Sequence, residues 1–279
     1  MNQFGGNWTQ QKIEMVVSYA KAYLIIMNKY PQFKSLYFDG FAGSGDINQN
    51  EETDIDTIKG TAIRILEIDD PKSFDRYYFV EKDEKNKTDL ENTIKQNFPS
   101  KLTHVVAEDC NVKLESMATF LRKNSSYRTL AFIDPYGMSV DWKSIEGLRN
   151  LGVDLWILVP TGMGINRLLK NDGKISDAWL EKLERFLGLD KEYILNHFYK
   201  EKKSLTLFGE ETFLEKEQNA IEKSGALYRE RLNTVFKFVS ESFVMKNSTN
   251  SIMYHFMMAT NNATALKIAN DVIKPKYKN

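Results

Sequence analysis

The 279-residue chain has one cysteine and three histidines, which removes most metal and redox chemistry at the outset. A lone thiol, Cys110, can form neither an intrachain disulfide nor a thiolate cluster, and it fits a reducing compartment. His104, His197 and His255 are scattered without ligand spacing, so no metal site is expected. Apolar runs of membrane length are lacking and the amino terminus is polar, so the chain reads as cytoplasmic, without export signal or membrane anchor. Net charge is lacking as well, with 38 Lys and Arg against 38 Asp and Glu and a pI near 6.9. Such a chain has no global basic field to attract nucleic acid, so a nucleic-acid substrate requires a local groove or a partner. Neither an internal repeat nor a low-complexity segment is visible.

What is present is a core. At this length about 75% of the unfolded surface can be buried, enough for one domain spanning 1–279. The organising stretch is Leu36, Tyr37, Phe38, Asp39, Gly40, Phe41, Ala42, Gly43, Ser44, Gly45. Its apolar first half reads as a buried strand, and its second half as a glycine turn. Asp39 then stands at the strand's carboxyl end, where open α/β sheets bind ligands. A dinucleotide pyrophosphate wants a third glycine where Asn48 stands and no anion beside the loop, yet Asp46 follows Gly45. The cationic sulfonium and amine of S-adenosylmethionine suit this loop better.

The run Asp39, Gly40, Phe41, Ala42, Gly43, Ser44, Gly45 resembles the first motif of class I methyltransferases. More closely, the chain resembles the three-Cys-motif partner family of bacterial and phage proteins. That likeness takes in Trp8 and Thr9; Asp134, Pro135, Tyr136, Gly137; Val159, Pro160, Thr161, Gly162; and Tyr228, Arg229, Arg231, Leu232. It implies a methyltransferase-like fold and a functional link to a neighbouring cysteine-motif protein.

Along the chain, Ile13, Val16, Val17, Ala20, Leu24 and Met27 predict an amphipathic helix from Thr9 to about Lys29, with Thr9 as its cap. Glu51, Glu52, Asp54 and Asp56 read as a solvated insertion, and a helix follows from about Ile58 to Ile68. Strands are predicted at Arg76–Val80, Leu102–Ala107, Thr129–Ile133 and Val153–Val159, with helices between them. The resemblance implies that Glu81, at the second strand's end, accepts from the ribose hydroxyls of the cofactor. Asp109, after the third strand, matches the position that accepts from the adenine amino group, and it reads equally as a helix cap. The expected cofactor-binding set is therefore Asp39, Phe41, Gly43, Gly45, Glu81 and Asp109.

Asp134, Pro135, Tyr136 resembles the Asp-Pro-Pro-Tyr signature of amino methyltransferases, in which the acid accepts from the target amine and the ring stacks on the base. One proline is missing, which draws Tyr136 closer to Asp134 and puts its stacking role in question. Cys110 is not where a cytosine C5 nucleophile would stand, and reads as a small buried residue.

Residues 164–213 read as two or three short helices with a small apolar stripe and the cations Arg167, Lys170, Lys174, Lys200, Lys202 and Lys203. This helical insertion is a substrate or partner element or a decorative one, and the sheet is expected to close without it. A helix from about Glu215 to Arg231, an antiparallel pair from Val235–Val244 and Ile252–Ala259, and a last helix, Ala263–Ile273, complete the reading. The expected fold is α/β, a doubly wound Rossmann-like sheet ending in an antiparallel strand pair.

Three functions from different classes compete. The first is a methyltransferase acting on an exocyclic amine of a nucleic-acid base, with Asp134, Pro135 and Tyr136 as catalytic residues. The second is a non-catalytic scaffold that keeps the fold to serve the cysteine-motif partner. The third is a nucleotide-processing enzyme using the same pocket.

Overall fold

Strict alternation of side chains between two helical layers builds the centre of the molecule. The computed structural model describes residues 7–47, 58–206 and 209–274. Helix α1 (Asn7–Asn28) leads into β1 (Lys34–Asp39), and a two-residue ribbon, β2 (Asp46–Ile47) with β3 (Ile58–Lys59), precedes α2 (Thr61–Leu66). Then come β4 (Arg76–Val80), α3 (Glu84–Asn97), β5 (Thr103–Val106), α4 (Cys110–Lys123), β6 (Tyr127–Ile133), α5 (Trp142–Glu146) and β7 (Val153–Val159). A π-helical turn (Thr161–Ile165) runs into α6 (Asn166–Leu168), α7 (Asp177–Leu187) and α8 (Lys191–Phe198), followed by the hairpin β8 (Tyr199–Thr206) and β9 (Gly209–Lys216). The chain continues through α9 (Ala220–Asn233), β10 (Phe238–Val239), β11 (Phe243–Lys246), β12 (Ile252–Thr260) and α10 (Ala263–Ile273).

The main sheet runs in the order β5-β4-β1-β6-β7-β12, with β10 and β11 both on the outer side of β12. Strands β5 to β7 are parallel, and β12 is antiparallel to β7. In β7, Leu155, Ile157 and Val159 face the layer of α4, α5 and α9, whereas Trp156 and Leu158 face the layer of α1, α2, α3 and α10. The same split places Ala131 and Ile133 of β6 opposite Leu130 and Phe132. This is why these strands read as unbroken apolar runs: both faces are covered. The order is that of a doubly wound α/β sheet closed by a reversed strand, as expected, and its direction changes between β1 and β6, where such sheets bind ligands.

Local expectations change: Ile58 and Lys59 form a strand ahead of α2, and the expected 235–244 strand is two short ones, β10 and β11, both paired with β12. Helix α1 begins before Thr9, because Trp8 packs its ring against Tyr254 at 5.6 Å and extends the helix past the expected cap. The acidic residues Glu51, Glu52, Asp54 and Asp56 lie outside the described residues. Within 164–213, helices occupy only the first part, and β8 pairs with β9 in a hairpin whose Lys202 and Lys203 pair with Glu215 and Glu210. The helices of this segment are no ornament, since Ile165, Leu183, Phe186, Leu187, Ile194 and Phe198 share one buried cluster with β7 and α9. These helices pack into the same core as α4, α5 and α9, the layer that covers this face of the sheet.

Candidate active site

The glycine turn after β1 is held by contacts that the residue types explain. Gly43 and Gly45 have φ of +63° and +91°, a region that favours glycine. A Cβ on Gly45 would also come within 3.0 Å of Leu90 and 3.1 Å of Ile63. Gly60, not singled out in the sequence, donates its N–H to the Gly45 carbonyl at 2.7 Å, and a Cβ there would stand 2.9 Å from that oxygen. Around Gly43, by contrast, nothing lies within 4 Å of an added Cβ, so the turn presents open backbone.

Acidic side chains ring this turn. Asp39, the last residue of β1, is 1% exposed. It accepts from the Phe41 N–H at 3.1 Å and from the Tyr37 hydroxyl at 3.2 Å. Burial pushes its pKa up to about 7, opposed by the Phe41 hydrogen bond and reinforced by Asp134 nearby. Glu81, just beyond β4, accepts from the Gly43 N–H and from the Asp83 N–H, each at 2.9 Å. It thus ties the turn to the second strand, while Asp83 caps α3. Each carboxylate oxygen has two acceptor positions, so Glu81 keeps capacity for a ligand hydroxyl. Asp109 caps α4 by accepting from the Asn111 N–H at 2.9 Å, and its other oxygen lies 3.6 Å from the Lys82 ammonium. The cap reading of Asp109 is seen directly, with one oxygen facing outward to a cation.

Asp134 follows β6, the neighbour of β1, and so comes beside Asp39. Its Oδ2 forms an ion pair with Lys12, which is delivered by α1 and is 6% exposed. Lys12 was missed in the sequence, although a signal existed: positions 12, 16, 19, 20 and 23 share one stripe of α1, and Lys12 is its only cation. Tyr254 of β12, whose ring is tilted against Trp8, lies close enough to Asp134 and Arg167 to feel both charges, and burial with Asp134 raises its hydroxyl pKa. Tyr136 is 83% exposed. With a single proline, the turn passes through Gly137 at φ +58°, and Tyr136 stands in solvent. Cys110 is buried beneath the turn, and burial drives its thiol pKa up, which leaves it inert as a nucleophile.

The structure therefore brings together Asp39, Phe41, Gly43, Gly45 and Glu81 around one turn, with Asp109 and Asp134 at the flanking strand ends. Carboxylates around an open backbone turn suit a cationic ligand with hydroxyl groups, and disfavour a pyrophosphate. Among the described residues, no three acidic, histidine or cysteine side chains are grouped to hold a metal ion, and no helix is long and apolar enough to cross a membrane.

No protein-family model and no curated protein matches the chain. Among solved structures it is similar to protein LPL1258 of Legionella pneumophila, at 12% identity and a TM-score of 0.50, over 98% of this chain and 92% of that one. It is also similar to Trm1 of Pyrococcus horikoshii, solved with S-adenosyl-L-methionine, at 10% identity and a TM-score of 0.41, over 96% and 72% of the two chains. At such identities the likeness speaks for the fold alone. Strand order, the reversed β12 and the glycine turn after β1 together make this a Rossmann-like fold of the class I methyltransferase type.

Proposed function

We propose that this chain is an S-adenosylmethionine-dependent methyltransferase that acts on an exocyclic amine of a nucleic-acid base, together with a cysteine-motif partner protein. The observation that carries the reading is the convergence of four acids, Asp39, Glu81, Asp109 and Asp134, on the carboxyl edge of the sheet around one open glycine turn. Asp39 and the turn would hold the amino-acid end of the cofactor, Glu81 its ribose hydroxyls and Asp109 its adenine. When bound, the cofactor supplies an electrophilic methyl group whose transfer leaves a neutral thioether. Asp134 accepts a hydrogen bond from the incoming amine, orients it and takes the proton that leaves as the amine is methylated. Lys12 fixes the Asp134 carboxylate and offers a positive charge beside it. Trp8 and Tyr254 supply the aromatic surface that Tyr136 does not.

The neutral surface bears on the acceptor. Lys200, Lys202 and Lys203 of the hairpin are each paired with a glutamate, so acids balance these three cations. Nucleic-acid affinity in this proposal comes from the partner.

Two observations favour the scaffold reading instead: Tyr136 points to solvent, and Asp134 is engaged by Lys12. Transfer of labelled methyl from the cofactor to DNA, RNA and cell extract, with and without the partner, separates the two. Wild type should label one acceptor, and Asp134→Ala should lower the rate by about 10²- to 10⁴-fold with cofactor affinity kept within a few fold. Cofactor binding without labelling of any acceptor would hand the role to the scaffold. Full activity in Asp134→Ala would contradict the mechanism.

A further inference from the structure

A cavity of about 530 Å³ lies at the opposite edge of the sheet from the glycine turn. Its walls come from the second half of α1, the starts of β6 and β7, the end of β12 and the first turn of α10. This size falls within the range of small-molecule sites. Met27, Leu151, Val153 and Ile268 make much of the wall apolar, and the rings of Tyr23 and Phe33 add flat surface. Two hydroxyls among the lining residues, those of Tyr23 and Thr129, are buried and make no hydrogen bond within the described protein. Tyr23 is 8% exposed and Thr129 fully buried.

The charges at this cavity are mostly positive. Arg128 lies flat on Phe33, with its guanidinium carbon 3.8 Å from the ring centroid. Its Nη1 donates to the carbonyls of Ser125 and Tyr127 at 2.7 and 2.9 Å, which clamps the group and leaves the Nη2 and Nε hydrogens for another acceptor. Lys29 stands exposed at the rim, and the amino terminus of α10, capped by Asn262, opens on the same space. Asp154 is the sole carboxylate of the lining, and both its oxygens are taken by hydroxyls, those of Tyr19 and Thr260. Burial raises its pKa.

We propose that this cavity is a second binding site, for a small amphipathic acid whose apolar body fills the α1–α10 cleft and whose anionic group meets Arg128. The site is independent of the transfer reaction and of its cofactor. Its apolar walls take the body, the clamped guanidinium takes the acid, and the Tyr23 and Thr129 hydroxyls are the groups that a polar ligand atom or its bridging water would satisfy.

The probes are 2-naphthylacetate and its uncharged counterpart 2-naphthylacetamide, titrated by calorimetry and by amide chemical shifts on the full chain. The acid should bind at one saturable site with at least tenfold higher affinity than the amide. Arg128→Gln should weaken the acid tenfold or more and leave the amide within twofold. Because Arg128 also packs on Phe33, the exposed Lys29→Gln is a second variant, expected to weaken the acid two- to fivefold with an unchanged melt. Ile268→Trp, which fills the cleft, should abolish binding of both probes. Equal affinity for acid and amide, acid binding unaffected by both charge variants, persistence of binding in Ile268→Trp, or no binding of either probe would overturn the proposal and leave a water-filled cavity only.

Discussion

Asp39 and Asp154 are both buried aspartates on parallel strands, at opposite edges of one sheet, and burial raises the pKa of each. Their partners differ. Asp154 is closed off by two hydroxyls, Tyr19 at 2.7 Å and Thr260, from the flanking α1 and β12. Asp39 is held more loosely, at 3.1 and 3.2 Å, and has the Lys12–Asp134 ion pair for a neighbour. One environment satisfies its acid internally and makes it part of the packing. The other leaves an acid beside charged groups at the mouth of a turn, where a cationic ligand would complete its electrostatics. The comparison teaches that burial alone does not single out a carboxylate for a ligand; the proposed site is distinguished by its unfinished set of partners.

The strongest way to break this contrast is Asp154→Ala. It leaves two buried hydroxyls without acceptors, at about 1 to 3 kcal/mol each, so the protein should lose about 2 to 6 kcal/mol. Urea denaturation and thermal melts measure this, at roughly 2 to 4 °C per kcal/mol for a chain of this size. Cofactor affinity at the other edge should be unchanged in the folded fraction. Loss of cofactor binding at full stability would mean that the roles of the two acids are reversed.

A pH series sharpens the comparison at Asp39. Between the ordinary carboxylate range and about 7, folded Asp39 keeps a proton that the unfolded chain has already released. Its contribution to stability therefore falls as pH rises through that window, by up to about 1.4 kcal/mol per unit. Asp39→Asn removes this slope. Denaturant midpoints at pH 5, 6 and 7 should show wild type losing stability relative to the variant, and parallel curves would deny the raised pKa.

The smallest effect is expected at Tyr136→Ala. A ring that is 83% exposed has little packing to lose, so stability should stay within about 0.5 kcal/mol. Methyl-transfer rate should stay within about twofold. A loss equivalent to 1 to 3 kcal/mol in acceptor binding would instead show that the ring folds back as a base platform when substrate arrives.

Much of this frame was legible because the strands are buried on both faces and the acids come directly after them. Leu36–Gly45 shows apolar strand, terminal acid and glycine turn within ten residues, and Glu81 after β4 and Asp134 after β6 repeat the first part of that grammar, whereas Asp109 stands three residues past the half-exposed edge strand β5. Lys12 is easily overlooked because a lysine on an amphipathic helix ordinarily belongs to the wet face; its place on the apolar stripe hints at burial, and the partner across 122 residues explains it. The β8–β9 segment reads as helix in the sequence because β9 is largely exposed, so no two-residue alternation of apolar groups exists to be seen. Its sign was charge: the lysines of one strand answer the glutamates of the other. Asp154 was passed over as one residue of the run Val153–Val159, since nothing local shows that Tyr19 and Thr260 converge on it.

Calorimetric titration of S-adenosylmethionine into wild type and Glu81→Ala tests the central claim most directly, that the carboxyl edge of the sheet is a cofactor site. Wild type should bind one equivalent, and the variant should bind ten- to a hundredfold more weakly, about 1.5 to 3 kcal/mol, because it loses both a ribose acceptor and the tether on Gly43. No heat with wild type, or equal affinity in the variant, would contradict it.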